Sequence, residues 1–253
     1  MPWPNAWWAG KVLLSGQDMT ALDEDGRARL RGQHVGFVFQ SFHLVPSLTA
    51  LENVMLPLEL AGAPNPAEAA LEAIRTVGLE PRKGHYPHQL SGGEKQRVGI
   101  ARTLGSRPDL IICDEPVSAL DVSIQAQIIN LMKDLQKKLN LSLIFIAHDL
   151  SVVRHISDRV MVMYLGKTME LAHRNNIYKR PLHPYTSAMI KAVPVPDPKL
   201  ARAAGDTGLT GDMPSPLEPP PTYPAEIRPL TSHQSPTTLY NGMIHPLVPF
   251  GIR

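Results

Sequence analysis

"LSGGEKQRVGIARTL", Leu90–Leu104, decides how the chain is read. Ser91 is a helix N-cap type, and Gly92 and Gly93 add no side chain that would block approach to the backbone. The first N–H groups of a helix lack intrahelical partners and sit at the positive end of its dipole. Such an end suits an anion, phosphate above all. Val98, Ile100, Ala101 and Leu104 then supply an apolar stripe that packs the helix on a core.

On either side of this stretch, the chain from Lys11 to about Lys167 alternates short apolar strands with helical patterns, which predicts an α/β fold with a largely parallel sheet. "HVGFVFQ" (34–40) reads as a strand closing on Gln40, "PDLIICDEP" as a buried strand closing on Asp114 and Glu115, and "LSLIFIAHD" as another closing on His148. Between them, "SLTALENVMLPLELAG" opens a helix at Thr49 with Glu52 at capping-box spacing. "PAEAALEAIRTVGL" is a helix stopped at Gly78. "SIQAQIINLMKDLQKKL" keeps Ile124, Ile128, Leu131, Leu135 and Leu139 on one face, and "RVMVMYLGK" is a strand running into a turn. Open α/β sheets place their ligands at the carboxyl ends of strands, where Gln40, Asp114, Glu115 and His148 fall. A strand closing on Asp-Glu can hold Mg²⁺ through water with one carboxylate while the other orients or deprotonates an attacking water.

Composition bounds the rest. The 253 residues suffice for a sizeable core in one or two domains. A net charge of +2 points to neither a nucleic-acid surface nor an acidic partner. The single cysteine, Cys113, excludes an internal disulfide and sits in an apolar run as a small hydrophobe. No apolar run approaches the roughly 20 residues needed to span a bilayer, and the N-terminus lacks a signal-peptide layout. A cytoplasmic protein is expected. Of the 25 prolines, 15 follow Arg180, so the tail is not expected to build a core of its own.

These segments together resemble the ATP-binding domains of ABC transporters. "LSGGEKQRVGIAR" resembles their signature motif, "LIICDEP" the Walker B strand, "SALD" (118–121) the D-loop, "AHD" (147–149) the switch histidine and "VFQSF" the Q-loop. The resemblance covers roughly Gly10–Pro198. It implies a P-loop NTPase-like core, a helical signature subdomain at about 41–105, and pairs of subunits that sandwich two ATP molecules with Mg²⁺. Glu115 would then be the general base, with His148 holding the γ-phosphate. Asp114 and Gln40 would bind the metal, Gln40 also sensing the transport partner. Ser91, Gly92, Gly93 and Glu94 would cap a neighbour's nucleotide, and Asp121 would organise the dimer seam. The implied partners are a second ABC ATPase subunit, membrane permease subunits and, indirectly, an extracytoplasmic peptide-binding protein. No nucleic acid is implied. The implied location is the cytoplasmic face of the membrane.

The two parts resemble different branches. Residues 34–62 resemble lipoprotein-release and macrolide-type export ATPases. The run from Gly93 to Pro198, with "RPLHPYT", resembles dipeptide and oligopeptide importer ATPases, and "GDMPSPLEPP" resembles their C-terminal extension. Domains are expected at 1–10 (an unplaced leader in which Trp3, Trp7 and Trp8 replace no known feature), 11–167 (a partial ATPase domain), 168–221 (a peptide-importer-like extension) and 222–253 (a disordered tail). The phosphate loop G-x-x-x-x-G-K-[ST] does not occur in the sequence. In the family it would lie well upstream of Gly36, where this chain has no room for it, and Lys11–Gly16 resembles the strand and turn that follow. Import of dipeptides or oligopeptides driven by ATP hydrolysis is therefore the leading expectation. Its rivals are a non-hydrolysing fragment that docks to a partner subunit and a subunit of an export-type system.

Overall fold

The computed structural model describes residues 11–164 and 166–193. The leader tryptophans, "GDMPSPLEPP" and the expected tail of 222–253 lie outside the described residues. The chain divides into two compact units, which within the described residues comprise 11–152 and 153–193.

The first unit is built on a parallel sheet in the order β3-β4-β5: β3 (Val35–Phe39), β4 (Leu110–Asp114) and β5 (Ser142–Ile146). The register aligns Val38, Cys113 and Phe145 in one row and Phe39, Asp114 and Ile146 in the next. Runs such as Leu110–Cys113 are continuously apolar because a parallel strand lies between covered faces rather than between core and water. Ahead of the sheet, β1 (Leu13–Leu14) and β2 (Gln17–Asp18) form a small antiparallel ribbon. It turns through Ser15–Gly16, the strand-and-turn expected there. Helix α1 (Glu24–His34) follows, capped by Asp23 and acidic in its first turn.

Helix α2 (Ala50–Leu60) starts at Thr49 with the reciprocal capping box read from the sequence. Helix α3 (Pro66–Thr76) ends before Gly78, whose φ of +72° no β-branched residue would adopt readily. Helix α4 (Gly92–Gly105) packs on α2, α3 and β3. Its apolar stripe is buried as expected at Val98, Ile100, Ala101 and Leu104. Val98, Ile100 and Leu104 each contribute about 1.5–3 kcal/mol relative to exposure. A side chain at Gly36 would run into Thr103 of α4, so glycine permits the helix to approach the sheet. Helix α5 (Val122–Leu139) buries Ile128, Ile129, Met132 and Leu135. Leu139 is instead 49% exposed, and the inward face is rotated from the expected stripe.

Helix α6 (Leu150–Ile156) runs across the division. In the second unit β6 (Arg159–Tyr164) pairs antiparallel with β7 (Lys167–His173), with an irregularity at Val162/Met163. Helices α7 (Arg174–Lys179) and α8 (Pro184–Lys191) pack on β7. Glu170, only 9% exposed, accepts the backbone N–H groups of Leu182 and His183 and so anchors the "RPLHPYT" segment.

Candidate functional site at the strand ends

The carboxyl ends of β3, β4 and β5 form one rim. Phe39, Asp114 and Ile146 stand in register, so Gln40 and Glu115 each lie one residue beyond the row and His148 two beyond it. Gln40 follows β3 rather than ending it. The ladder continues for one more bond, Glu115 N–H donating to Ile146 O at 3.0 Å. There the chain turns sharply. Glu115 has a left-handed φ of +46°, and its carbonyl accepts both the N–H (3.3 Å) and the hydroxyl (3.0 Å) of Ser118. A left-handed non-glycine residue costs roughly 1–3 kcal/mol and persists where its surroundings enforce it, commonly at functional sites.

That turn brings Glu115 to His148, with Oε1 3.1 Å from Nδ1. The Glu115 side chain is half-buried and His148 is largely exposed. The bond occupies Nδ1 and leaves Nε2 without a partner among the described residues. Gln40 and Asp114 present exposed side chains that likewise have no partner among those residues. No three His, Cys, Asp or Glu side chains converge as a metal cage among the described residues. This donor set still fits Mg²⁺, which is commonly held by one or two carboxylates together with water and substrate phosphates.

The second group of expected residues surrounds the start of α4. Ser91 caps the helix. Its Oγ accepts from Glu94 N–H at 3.3 Å, and Glu94 Oε2 accepts the Ser91 N–H at 2.8 Å. These bonds from Ser91 hold the Glu94 carboxyl below the usual carboxylate range. Arg82 also pairs with Glu94 at 3.3 Å. Gly92 and Gly93 form the first turn of α4, whose N–H groups lack intrahelical acceptors. Both glycines lie against the start of α5: a Cβ at Gly93 would come within 2.7 Å of Ile124 Cγ2, and one at Gly92 within 3.1 Å of Leu120. Asp121 caps α5, accepting from Ile124 N–H (3.0 Å) and the Ser123 hydroxyl (2.8 Å). Those bonds lower its pKa.

Ser91 to Glu94 and Asp121 are therefore brought to neighbouring helix starts, and Glu115 is brought to His148. Sequence reading missed a cavity of about 390 Å³ beside the first turn of α4, lined by Arg82, Arg97 and Gln127 among others. It also missed Arg102, which reaches from α4 to the loop after Gln40. The basic spacing along α4 was the available signal for the arginines.

Comparison with known proteins gives two family matches: "ABC transporter" over residues 5–118, and "Oligopeptide/dipeptide transporter, C-terminal region" over 169–222. The chain is 47% identical over 218 residues to the oligopeptide transport ATP-binding protein OppF of Salmonella typhimurium, covering 83% of this chain and 65% of that one. It is 44% identical to the putative oligopeptide transport ATP-binding protein YkfD of Bacillus subtilis (83% and 66%). A putative peptide import ATP-binding protein of Brucella ovis is 46% identical (84% and 68%). The chain thus spans about two thirds of the length of these relatives. Matches of this extent also run through most of the Ser41–Gly62 segment. Among solved structures, the ATP-binding cassette MJ0796, in a dimeric post-hydrolysis state bound to ADP and Pi, aligns with a TM-score of 0.57 and 35% identity. It covers 65% of this chain and 73% of that one.

Proposed function

Since this chain belongs to the ABC transporter ATP-binding family, with the P-loop NTPase-like α/β fold of its cassettes and an oligopeptide-transporter C-terminal region, we propose that it couples ATP hydrolysis to import of dipeptides or oligopeptides. It does so at the cytoplasmic face of the membrane, paired with a second ATP-binding subunit and docked to permease subunits. No helix among the described residues is long and apolar enough to cross a membrane, so the membrane contact is assigned to those partners. An extracytoplasmic peptide-binding protein would deliver the substrate to the permease.

The observation that carries this reading is the Glu115–His148 hydrogen bond at the strand-end rim. Bound Mg-ATP supplies an electrophilic phosphorus and a cation that offsets phosphate charge. Asp114 and Gln40 would hold the metal, in keeping with their exposed, unengaged side chains. Glu115 takes the proton of the attacking water on its carboxylate. Its bond to His148 through Nδ1 fixes the imidazole and leaves Nε2, which would hold the γ-phosphate of bound ATP. Ser91, Gly92 and Gly93 present their phosphate-suited end to the neighbouring subunit's nucleotide, Glu94 closes the cap, and Asp121 fixes the seam beside them.

A second reading, carried by the capped start of α4, is that this helix end serves a nucleotide held by a partner subunit. Calorimetry tests the two together. On the second reading, Mg-ATP affinity is expected to rise when the purified chain is mixed with a partner ATP-binding subunit. Low-micromolar binding by the isolated chain would overturn the second reading. No gain on mixing, with none in the isolated chain, would overturn both.

A further inference from the structure

Phe42 and His43, directly after the Gln40 turn, are both left-handed, with φ of +52° and +47°. Each non-glycine residue in that region costs roughly 1–2 kcal/mol, so two in succession need an external hold. His43 N–H bonding back to Ser41 O is the local contribution. The larger hold comes from α4. Arg102 Nη1 donates to His43 O at 2.5 Å and Nη2 to Phe42 O at 3.0 Å.

The rigid fork of a guanidinium suits two neighbouring carbonyls, which the single ammonium of lysine does not match. Arg102 is half-buried and has no carboxylate within ion-pair distance among the described residues, so the two carbonyls carry its stabilisation. Other α4 side chains grip the preceding strand: Thr103 Oγ1 donates to Phe37 O at 2.7 Å, and Gln96 Nε2 reaches Phe39 O at 3.5 Å. The backbone on both sides of Gln40 is thus held by the helix whose other end carries Ser91–Glu94. Ser91 and Arg102 lie 11 residues apart, about 16 Å along that helix.

We propose that Arg102 is a positioning residue for Gln40, fixing the left-handed Phe42–His43 turn so that α4 determines how Gln40 is presented at the rim. This rests on the reading of Gln40 as a site residue, and gives the signature helix a direct grip on the loop that would face a transport partner.

The test is limited proteolysis of the full chain by chymotrypsin, with cleavage after Phe42 followed by mass spectrometry. Arg102→Gln is expected to raise the cleavage rate at least about tenfold, since two hydrogen bonds from a charged donor are lost. Arg102→Lys should give an intermediate rate. Asn tolerates the left-handed region, so His43→Asn should slow cleavage in the otherwise unchanged chain and restore much of the protection to Arg102→Gln. Simple loss of packing under Arg102 would not be repaired by a substitution in another element. An unchanged rate in Arg102→Gln, an equal rise at sites throughout β3 and α4, or failure of His43→Asn to protect either background would overturn the proposal. The cleavage pattern does not depend on nucleotide, so failure of the ATPase reading would be seen in the calorimetry and not here.

Discussion

Gly93→Ala is the substitution whose cost the structure fixes most sharply. The added Cβ would stand 2.7 Å from Ile124 Cγ2, against the roughly 3.5–4.0 Å of a comfortable carbon contact. That methyl is the β-branch of a helical isoleucine, whose χ1 is confined to essentially one rotamer, so it cannot swing aside. Either the start of α4 or the start of α5 must shift. Overpacking of this kind costs about 1–3 kcal/mol, and the helix-propensity gain of Gly→Ala returns at most about 1 kcal/mol. With that gain fully realised the net loss is up to about 2 kcal/mol, a fall of a few degrees in Tm for a chain of this size. Urea denaturation should show a lower midpoint at unchanged m, the mark of a changed stability rather than a changed denatured state. Ile124→Leu removes the offending methyl while keeping the volume, so Gly93→Ala should be much less harmful in that background. Gly32→Ala is the control: nothing lies within 4 Å of its Cβ position on α1, and it should be neutral or stabilising. Additivity of Gly93→Ala and Ile124→Leu within about 0.5 kcal/mol would refute the contact on which the reasoning rests.

Two further outcomes follow from ionisable groups. The Asp109 carboxyl is held below its ordinary value, first by the hydrogen bond from His34 and then by that from the Ser15 hydroxyl, and Glu94 and Asp121 are lowered by their capping bonds. A folded-state pKa below the unfolded one gives stability that is complete above the unfolded value, about 4, and is lost as pH falls through the folded value. Urea midpoints should therefore drop below about pH 4, and Asp109→Asn should flatten part of that drop; a midpoint rising with acid would contradict the sign. The Cys113 thiol is fully buried in β4 and pushed up to about 12 by desolvation. Thiol reagents at neutral pH should label it only at the rate of unfolding, and rapid labelling of the folded chain would show that the strand is not covered.

Much of the placement of the candidate site residues was legible because polar residues ended apolar runs. Asp114–Glu115 after Leu110–Cys113 and His148 after Leu143–Ile146 marked strand ends, and Thr49 with Glu52 and Ser91 with Glu94 marked helix starts. What stayed hidden depends on register and local backbone shape. No pattern in one strand announces that Glu115 turns left-handed and meets a histidine of the neighbouring strand's loop, since that needs the parallel pairing of β4 with β5. Helix α1 escaped because "EDGRARLRGQH" buries only Leu30 and carries two glycines, leaving the Asp23 cap as its one signal. The inward face of α5 was misplaced because Ile124, Ile128, Leu131 and Leu135 and the observed Ile128, Ile129, Met132 and Leu135 both satisfy helical spacing. Strand β7 was hidden by Glu170, a carboxylate turned inward to receive two backbone N–H groups, and by the irregularity opposite it.

The most direct test of the central claim is ATP turnover by Glu115→Gln. The measurement uses this chain paired with a second ATP-binding subunit. Glutamine keeps the size of Glu115 and its contact with His148 but cannot accept the proton of water. Turnover should fall at least ~100-fold while nucleotide binding is retained. Hydrolysis at the unaltered rate in Glu115→Gln would contradict the account, because the strand-end pair would then not be where the water is activated.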